Sequence, residues 1–239
     1  MPASERGPGA VTIAIETSGP RGGVAVGVGA TILGVLEFGR GLVHGREVVP
    51  RLRDLFAEKG LDPRSVAAVA VDVGPGSYTG LRVGISAARA LAFATGAKTI
   101  AVAAFDAVAA DSGLPPGTSL LAVRDARRGH VYAAVFAPGG SGGPGALVRA
   151  TEDFAATPEE AAARAPTGAV VLGDGAAAYP QVFGPPRFVA GPHDRGEPRV
   201  AAVYRLGASA LARGETTPAD ALVPRYLQAS EPERRRTDR

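Results

Sequence analysis

An echo inside the chain narrows its fold more than any other feature. The stretch AIETSGPRGGVAVGV at residues 14–28 is an apolar run, a Gly/Pro turn and a second apolar run, and the pattern returns about 108 residues later as SLLAVRDARRGHVYAAVFA at 119–137. Likewise AVAVDVGPGSYTG at 68–80, a buried strand entering a glycine turn, is echoed about 100 residues on by GAVVLGDGAAAY at 168–179. A supersecondary pattern that recurs at long period implies a repeated structural unit. The expectation is an α/β protein of two halves, each a hairpin-rich mixed sheet with helices.

Local signals fill in that outline. Three apolar runs at 11–16, 22–28 and 31–38, bounded by Gly, Pro and Ser, predict an antiparallel three-stranded opening. In REVVPRLRDLFAEKG (46–60), Val48, Val49, Leu52, Leu55 and Phe56 recur at spacings of three and four, which predicts a helix that becomes regular near Pro50 and stops at Gly60. A strand at 66–73, a second helix at 81–96 ended by Gly96, and a strand at 99–105 follow. The stretch APGGSGGPGA (137–146) reads as a hairpin tip or linker. The helix at 198–214 is expected to pack on the second half, before a short segment at 221–228. The division that results is a disordered start at 1–10, an N-terminal lobe at 11–108, a C-terminal lobe at 109–228 and a disordered tail at 229–239.

Composition excludes several chemistries. With no cysteine, disulfide scaffolds, cysteine-ligated metals and cysteine nucleophiles are ruled out, and a reducing compartment is favoured. The opening MPASERGPGA lacks the apolar stretch of a signal peptide, and Arg82 and Arg89 interrupt the most apolar region, so a cytoplasmic protein is expected. Of the net charge of +3, the tail EPERRRTDR contributes +1, with four arginines against three acids, which leaves the body near +2. That is too diffuse for a surface dedicated to tracking nucleic acid.

The segment GPGSYTGLR (74–82) lies between a buried strand and a helix, where N–H groups and the helix dipole can attract an anion. It is neither a Walker loop, having no Gly-Lys-Ser/Thr ending, nor a dinucleotide loop, since its spacing is GxGxxxG and no acid occurs from Gly80 to Phe105. Two readings stand, an anion site or a tight turn with a helix cap. Glu16, at the end of the first strand, is equally a strand-end cap or a ligand for metal and phosphate. His44, His130 and His193 are too scattered for a zinc hydrolase, and no GxSxG elbow is present. The hairpin DARRGHVY (125–132) gathers Arg127, Arg128 and His130 next to Arg124, either as a solvated turn or as a contact for phosphate or an acidic partner.

Taken together, IAIETS, HGREVVPRLRDLF, VGPGSYTGLRVGISAARALA, DARRGHVYAAVF and VPRYL resemble the TsaB (YeaZ) family, a subunit of the bacterial machinery that makes threonylcarbamoyladenosine in tRNA. The resemblance is dense over residues 11–137 and returns at 222–227. It implies a two-lobed actin-like (ASKHA, ribonuclease-H-like) fold and a non-catalytic paralogue of the transferase TsaD. Such a subunit pairs with TsaD, is joined by the ATPase TsaE, forms a homodimer when alone and meets tRNA only indirectly. Carried to this chain, the pairing helices are those at about 47–59 and 80–95, with Val48, Leu52, Leu55, Arg82, Gly84, Ile85, Ala88 and Leu91 as contacts. A nucleotide or anion would meet Glu16, Thr17, Gly76, Ser77, Thr79 and Gly80, with no intrinsic cofactor, no metal site, and ATP or ADP at most at the boundary with TsaD. The rival reading is a nucleotide-dependent kinase or ATPase of the sugar-kinase type; the family's "glycoprotease" label finds no ligands here. The sequence departs from the family pattern at Glu16 (usually Asp), His130 (commonly Glu) and Gly45 (usually a Ser that would cap the helix).

Overall fold

The computed structural model describes residues 10–39, 44–139, 145–191 and 199–227, with side chains described from residue 46 in the second stretch. Two compact units result, one of Met1–Ala107 with Glu197–Pro224, the other of Val108–Gly196 with Arg225 onward.

In the first unit, β1 (Val11–Glu16), β2 (Gly22–Val28), β3 (Thr31–Phe38), β4 (Val66–Asp72) and β5 (Lys98–Val102) form one sheet in the order β3-β2-β1-β4-β5. β1 runs antiparallel to β2 and parallel to β4, and β4 runs parallel to β5. The period-2 alternation of strands sorts large residues from small across the two faces. Ile13, Ile15, Val24, Val26, Val69 and Val71 point to one side, where Val48, Leu52, Leu55 and Phe56 of α1 (His44–Glu58) and Ile85 and Ala88 of α2 (Tyr78–Thr95) close a core. Ala14, Ala25, Ala68 and Ala70 point to the other, a shallow face on which α7 (Val200–Ala212) lies close. A Cβ on Gly207 of α7 would come within 2.3 Å of the Ala70 Cβ. Helices on both faces explain why β1 is buried along its whole length. Tyr204 of α7, fully buried, donates its hydroxyl to the carbonyls of Gly29 (3.0 Å) and Thr31 (3.3 Å), and burial pushes that phenol up to about 12.

The second unit repeats the plan. β6 (Leu120–Arg127), β7 (His130–Pro138), β8 (Leu147–Arg149), β10 (Val170–Leu172) and β11 (Val189–Ala190) lie in the order β11-β10-β6-β7-β8, with β9 (Phe154–Ala156) also paired to β7. β6 is antiparallel to β7 and parallel to β10, and β10 is parallel to β11. This is the first sheet's order with β6, β7, β8, β10 and β11 standing for β1, β2, β3, β4 and β5, so the expected duplication is present. The short helices of this unit are α4 (Pro158–Arg164), α5 (Asp174–Ala178) and α6 (Pro180–Phe183). α4 begins with a capping box in which Thr157 accepts from the Glu160 N–H while the Glu160 carboxylate takes the Thr157 N–H at 3.0 Å, holding that carboxyl below its ordinary range.

Several expectations change. The helix at 198–214, expected on the second half, belongs to the first unit because Ala202, Val203 and Ala208 match the alanine face there. The lobe boundary at 109–228 changes with it, since residues up to Pro224 return to the first unit, where Leu222 is buried in the α1–α2 core. The strand expected over 99–105 ends at Val102, and α3 (Ala104–Ala110) begins two residues later. α1 begins well before Pro50, which it carries inside at the cost of one backbone hydrogen bond. The expected disordered ends, apart from Ala10, lie outside the described residues, as do residues 140–144 of the glycine-rich stretch.

Candidate functional site

The carboxyl ends of β1 and β4 and the loop into α2 meet at one place in the first unit. β1 delivers Glu16 and β4 delivers Asp72, both fully buried. The Glu16 carboxylate accepts from the Ser18 N–H (2.6 Å), the Ser18 hydroxyl contact (2.8 Å) and the Gly19 N–H (3.0 Å). Ser18 Oγ also lies 2.7 Å from Asp72 Oδ2, and Asp72 Oδ1 accepts from the Gly74 N–H at 2.7 Å. Buried carboxylates need such partners to offset lost hydration. Among the contacts described, three backbone N–H groups supply them, and the single Ser18 hydroxyl proton serves one carboxylate at a time.

The loop itself is stitched to the same strand end. Ser77 caps α2 by accepting from the Gly80 N–H (3.2 Å), its own N–H donates to the Ser18 carbonyl (2.9 Å), and the Thr17 hydroxyl donates to the Gly80 carbonyl (2.7 Å). A Cβ on Gly80 would stand 2.0 Å from the Thr17 carbonyl oxygen, and one on Gly84 would stand 2.3 Å from Thr17 Oγ1. These glycines therefore let α2 lie against residues 17 and 18 of the protein's own chain. Of the residues expected around a nucleotide, Glu16, Thr17, Ser77 and Gly80 come together in this knot, while Gly76 is half-buried and Thr79 is exposed. Asp72 was missed by sequence reasoning. Its signal was a single acid closing the apolar strand VAAVAVD, two residues before a glycine.

A similar turn in the second unit is also filled. A Cβ on Gly173, before Asp174, would stand 1.8 Å from the Val123 carbonyl oxygen, and one on Gly175 would stand 2.8 Å from Val123 Cγ2. Among the described residues no group of three or more His, Cys, Asp or Glu side chains is placed to hold a metal. His193 lies outside the described residues.

The helix face expected to meet a partner is arranged otherwise than the sequence suggested. Val48, Leu52, Leu55, Gly84, Ile85 and Ala88 are buried in the first unit's own core, and of these Leu52 alone also reaches the floor of a groove beside α1. Leu91 is half-buried and Arg82 is exposed, its guanidinium 4.4 Å over the Tyr78 ring. The outward stripe of α2 is Arg82, Ser86, Ala90 and Phe93, at spacings of four, four and three, and Phe93 is 92% exposed. Beside it, α1 exposes Val49, and an apolar groove of about 410 Å³ runs between the helices, lined by Val49, Phe56, Leu61 and Leu91 with Arg53. Phe93 was legible in principle. It falls one position off the buried stripe Leu81, Ile85, Ala88 and Ala92, where a core residue would not be.

At the β6–β7 hairpin, Arg127 pairs with His130, which leaves Arg128 and Gly129 as a two-residue turn, and a bulge precedes Arg127. Arg127 (φ 67°), Arg128 (φ 54°) and Gly129 (φ 76°) are all left-handed. For each arginine that conformation costs about 1–2 kcal/mol. Asp125 braces the turn, accepting from the Arg127 N–H at 2.8 Å and pairing with its guanidinium at 3.2 Å, and the Asp125 N–H donates to Asp174 at 3.0 Å.

A profile of the TsaD family, described as tRNA N6-adenosine threonylcarbamoyltransferase, matches residues 42–165. The chain is 31% identical over 93 residues to the tRNA threonylcarbamoyladenosine biosynthesis protein TsaB of Bacillus subtilis (strain 168), covering 39% of this chain and 40% of that protein. It is 34% identical over 94 residues to the protein of the same name from Escherichia coli (strain K12), covering 39% and 41%. The aligned region thus spans about two fifths of the length of these curated relatives. Among solved structures, YeaZ from Pseudomonas aeruginosa superposes with a TM-score of 0.76 at 27% identity, over 91% of this chain and 100% of that one.

Proposed function

The chain belongs to the family of TsaD and its TsaB (YeaZ) relatives, and from that premise we propose that it is a non-catalytic subunit of tRNA threonylcarbamoyladenosine synthesis. In this reading it pairs with the transferase TsaD through the outer faces of α1 and α2, and TsaE joins the pair. The observation that carries the proposal is the outward stripe of α2, where Phe93 at 92% exposure sits beside the small residues Ser86 and Ala90. A large exposed aromatic next to small side chains suits close packing against another helix, and it has no role within the unit.

The knot at Glu16, Ser18 and Asp72 supports the non-catalytic part. Its glycines are used against the protein's own strand, and its N–H groups at Ser77 and Gly74 already donate to Ser18 and Asp72. The kinase reading would need both to serve phosphate.

The test is size-exclusion chromatography of the chain with TsaD and TsaE, with ATP and ADP added in turn. Wild type should co-elute with TsaD, and Phe93→Glu should not, while keeping its circular dichroism and melting temperature. Co-elution of Phe93→Glu at wild-type strength would overturn the interface. ATP turnover by the chain alone at an ordinary kinase rate of about 1–100 per second would overturn the non-catalytic assignment. Tighter co-elution with one nucleotide would place that nucleotide at the boundary with TsaD.

A further inference from the structure

We propose that the tip of the β6–β7 hairpin is a direct contact for the phosphate backbone of RNA. The choice of RNA rests on the tRNA-modification reading, whereas the geometry of the tip does not. Arg127 is 85% exposed, and Arg128, Gly129 and His130 are exposed with it. The turn between Arg127 and His130 has two residues, a connection for which Asn-Gly is the unstrained choice. Arg128 within the turn and Arg127 beside it are both held left-handed, which neither position selects arginine for, and strain of this kind persists at positions kept for function.

The surroundings prepare the tip for an anion. The carboxylate of Asp125 is engaged below it, on the Arg127 N–H and on one edge of the Arg127 guanidinium, and that of Asp174 on the Asp125 N–H, so these two acids brace the turn while the Arg127 side chain stays exposed to solvent. His130 Nδ1 lies 3.0 Å from the Arg128 carbonyl, which can only accept, so Nδ1 carries the ring proton and the imidazole is held in place. A Cβ built on Gly129 would meet nothing within 4 Å, so the turn is open to close approach. Guanidinium forks match phosphate oxygens in pairs, and two on adjacent residues suit successive phosphates. An acidic protein would seek apolar anchors beside the charges, and residues 127–130 are Arg, Arg, Gly and His. Contacts of this type orient an RNA without reading its bases.

The experiment is fluorescence-anisotropy titration of a labelled tRNA transcript over a salt series, with the full chain alone and in complex with TsaD, and with polyglutamate as a parallel probe. Arg128→Asn places a favoured turn residue there while removing the charge. Its melting temperature should equal or exceed that of wild type, while the slope of log K against log salt falls by about one. Arg127→Ala should do the same, and the double variant should lose about two. An unchanged slope in both variants, or no measurable RNA binding by chain or complex, overturns the proposal. Loss of polyglutamate binding with an unchanged RNA slope overturns it in favour of an acidic protein. Co-elution of Arg128→Asn with TsaD reads the subunit role separately, so a failed tip and a failed partner assignment give different results.

Discussion

Gly80 and Gly84 show how an absent methyl group positions a helix. Each faces Thr17 at a distance no Cβ could occupy, so α2 can settle onto the end of β1 only with glycine at both places. Gly80→Ala should cost about 1–3 kcal/mol through overpacking against a backbone oxygen, read as a lower urea midpoint at unchanged m. By the same contact, a charged residue at Gly84 would report unfolding rather than lost pairing, which is why Phe93 is the site to probe. Tyr204 gives a second residue-level outcome. Its phenol ionises near 10 in an unfolded chain, while burial raises it to about 12 in the fold. The folded protein then keeps a proton that the unfolded chain gives up. The associated stability is complete below about pH 10 and is lost as pH rises through about 12. Denaturant titrations across that window should show a steeper alkaline loss for wild type than for Tyr204→Phe, which should itself lose about 1 kcal/mol at neutral pH with the hydroxyl's hydrogen bonds.

At the scale of elements, the N-terminus of α4 is stabilised by the reciprocal Thr157–Glu160 bonds. Thr157→Ala should lower stability by about 1 kcal/mol, measured by chemical denaturation, and the Glu160 half of the box should fail as acid protonates its lowered carboxyl. Much of this scale was legible in the sequence. The strands followed from alternation of β-branched residues, α2 ended at Gly96 with φ 69° as a left-handed cap should, and the glycine turns lay where expected. Other features were not legible. α7 carries an ordinary apolar stripe, and nothing local in Val200–Ala212 states which sheet it will cover; that is decided by four alanines contributed from far away in the chain. The exposed face of α2 was misread for a related reason. α2 is apolar nearly all round, so its periodicity has no clear phase, and the residues with the strongest spacing, Ile85 and Ala88, were already used by the unit's own core.

For the molecule as a whole, the same strand order appears twice, and this was the most legible property of all because it needs only the pattern of elements. What the pattern hid was continuity, since the first unit is built from two separate stretches of chain. Removing residues 199–224 should therefore damage the first unit rather than shorten the second. Ala14, Ala25, Ala68 and Ala70 would lose their cover, and the truncated chain should partition into the insoluble fraction on expression. A soluble, cooperatively melting product would contradict this.

The discontinuity also sets an order of events during synthesis. The first sheet is complete once Val102 has emerged, yet the helix that seals its alanine face ends at Ala212. At about 5–20 residues per second, the intervening stretch takes roughly 5–20 seconds to translate. Through that interval the nascent sheet lacks the cover of α7, while every strand of the second sheet is made. The sheet that is made first on the ribosome is thus sealed only after all strands of the second have been made, and its alanine face needs shielding until α7 arrives.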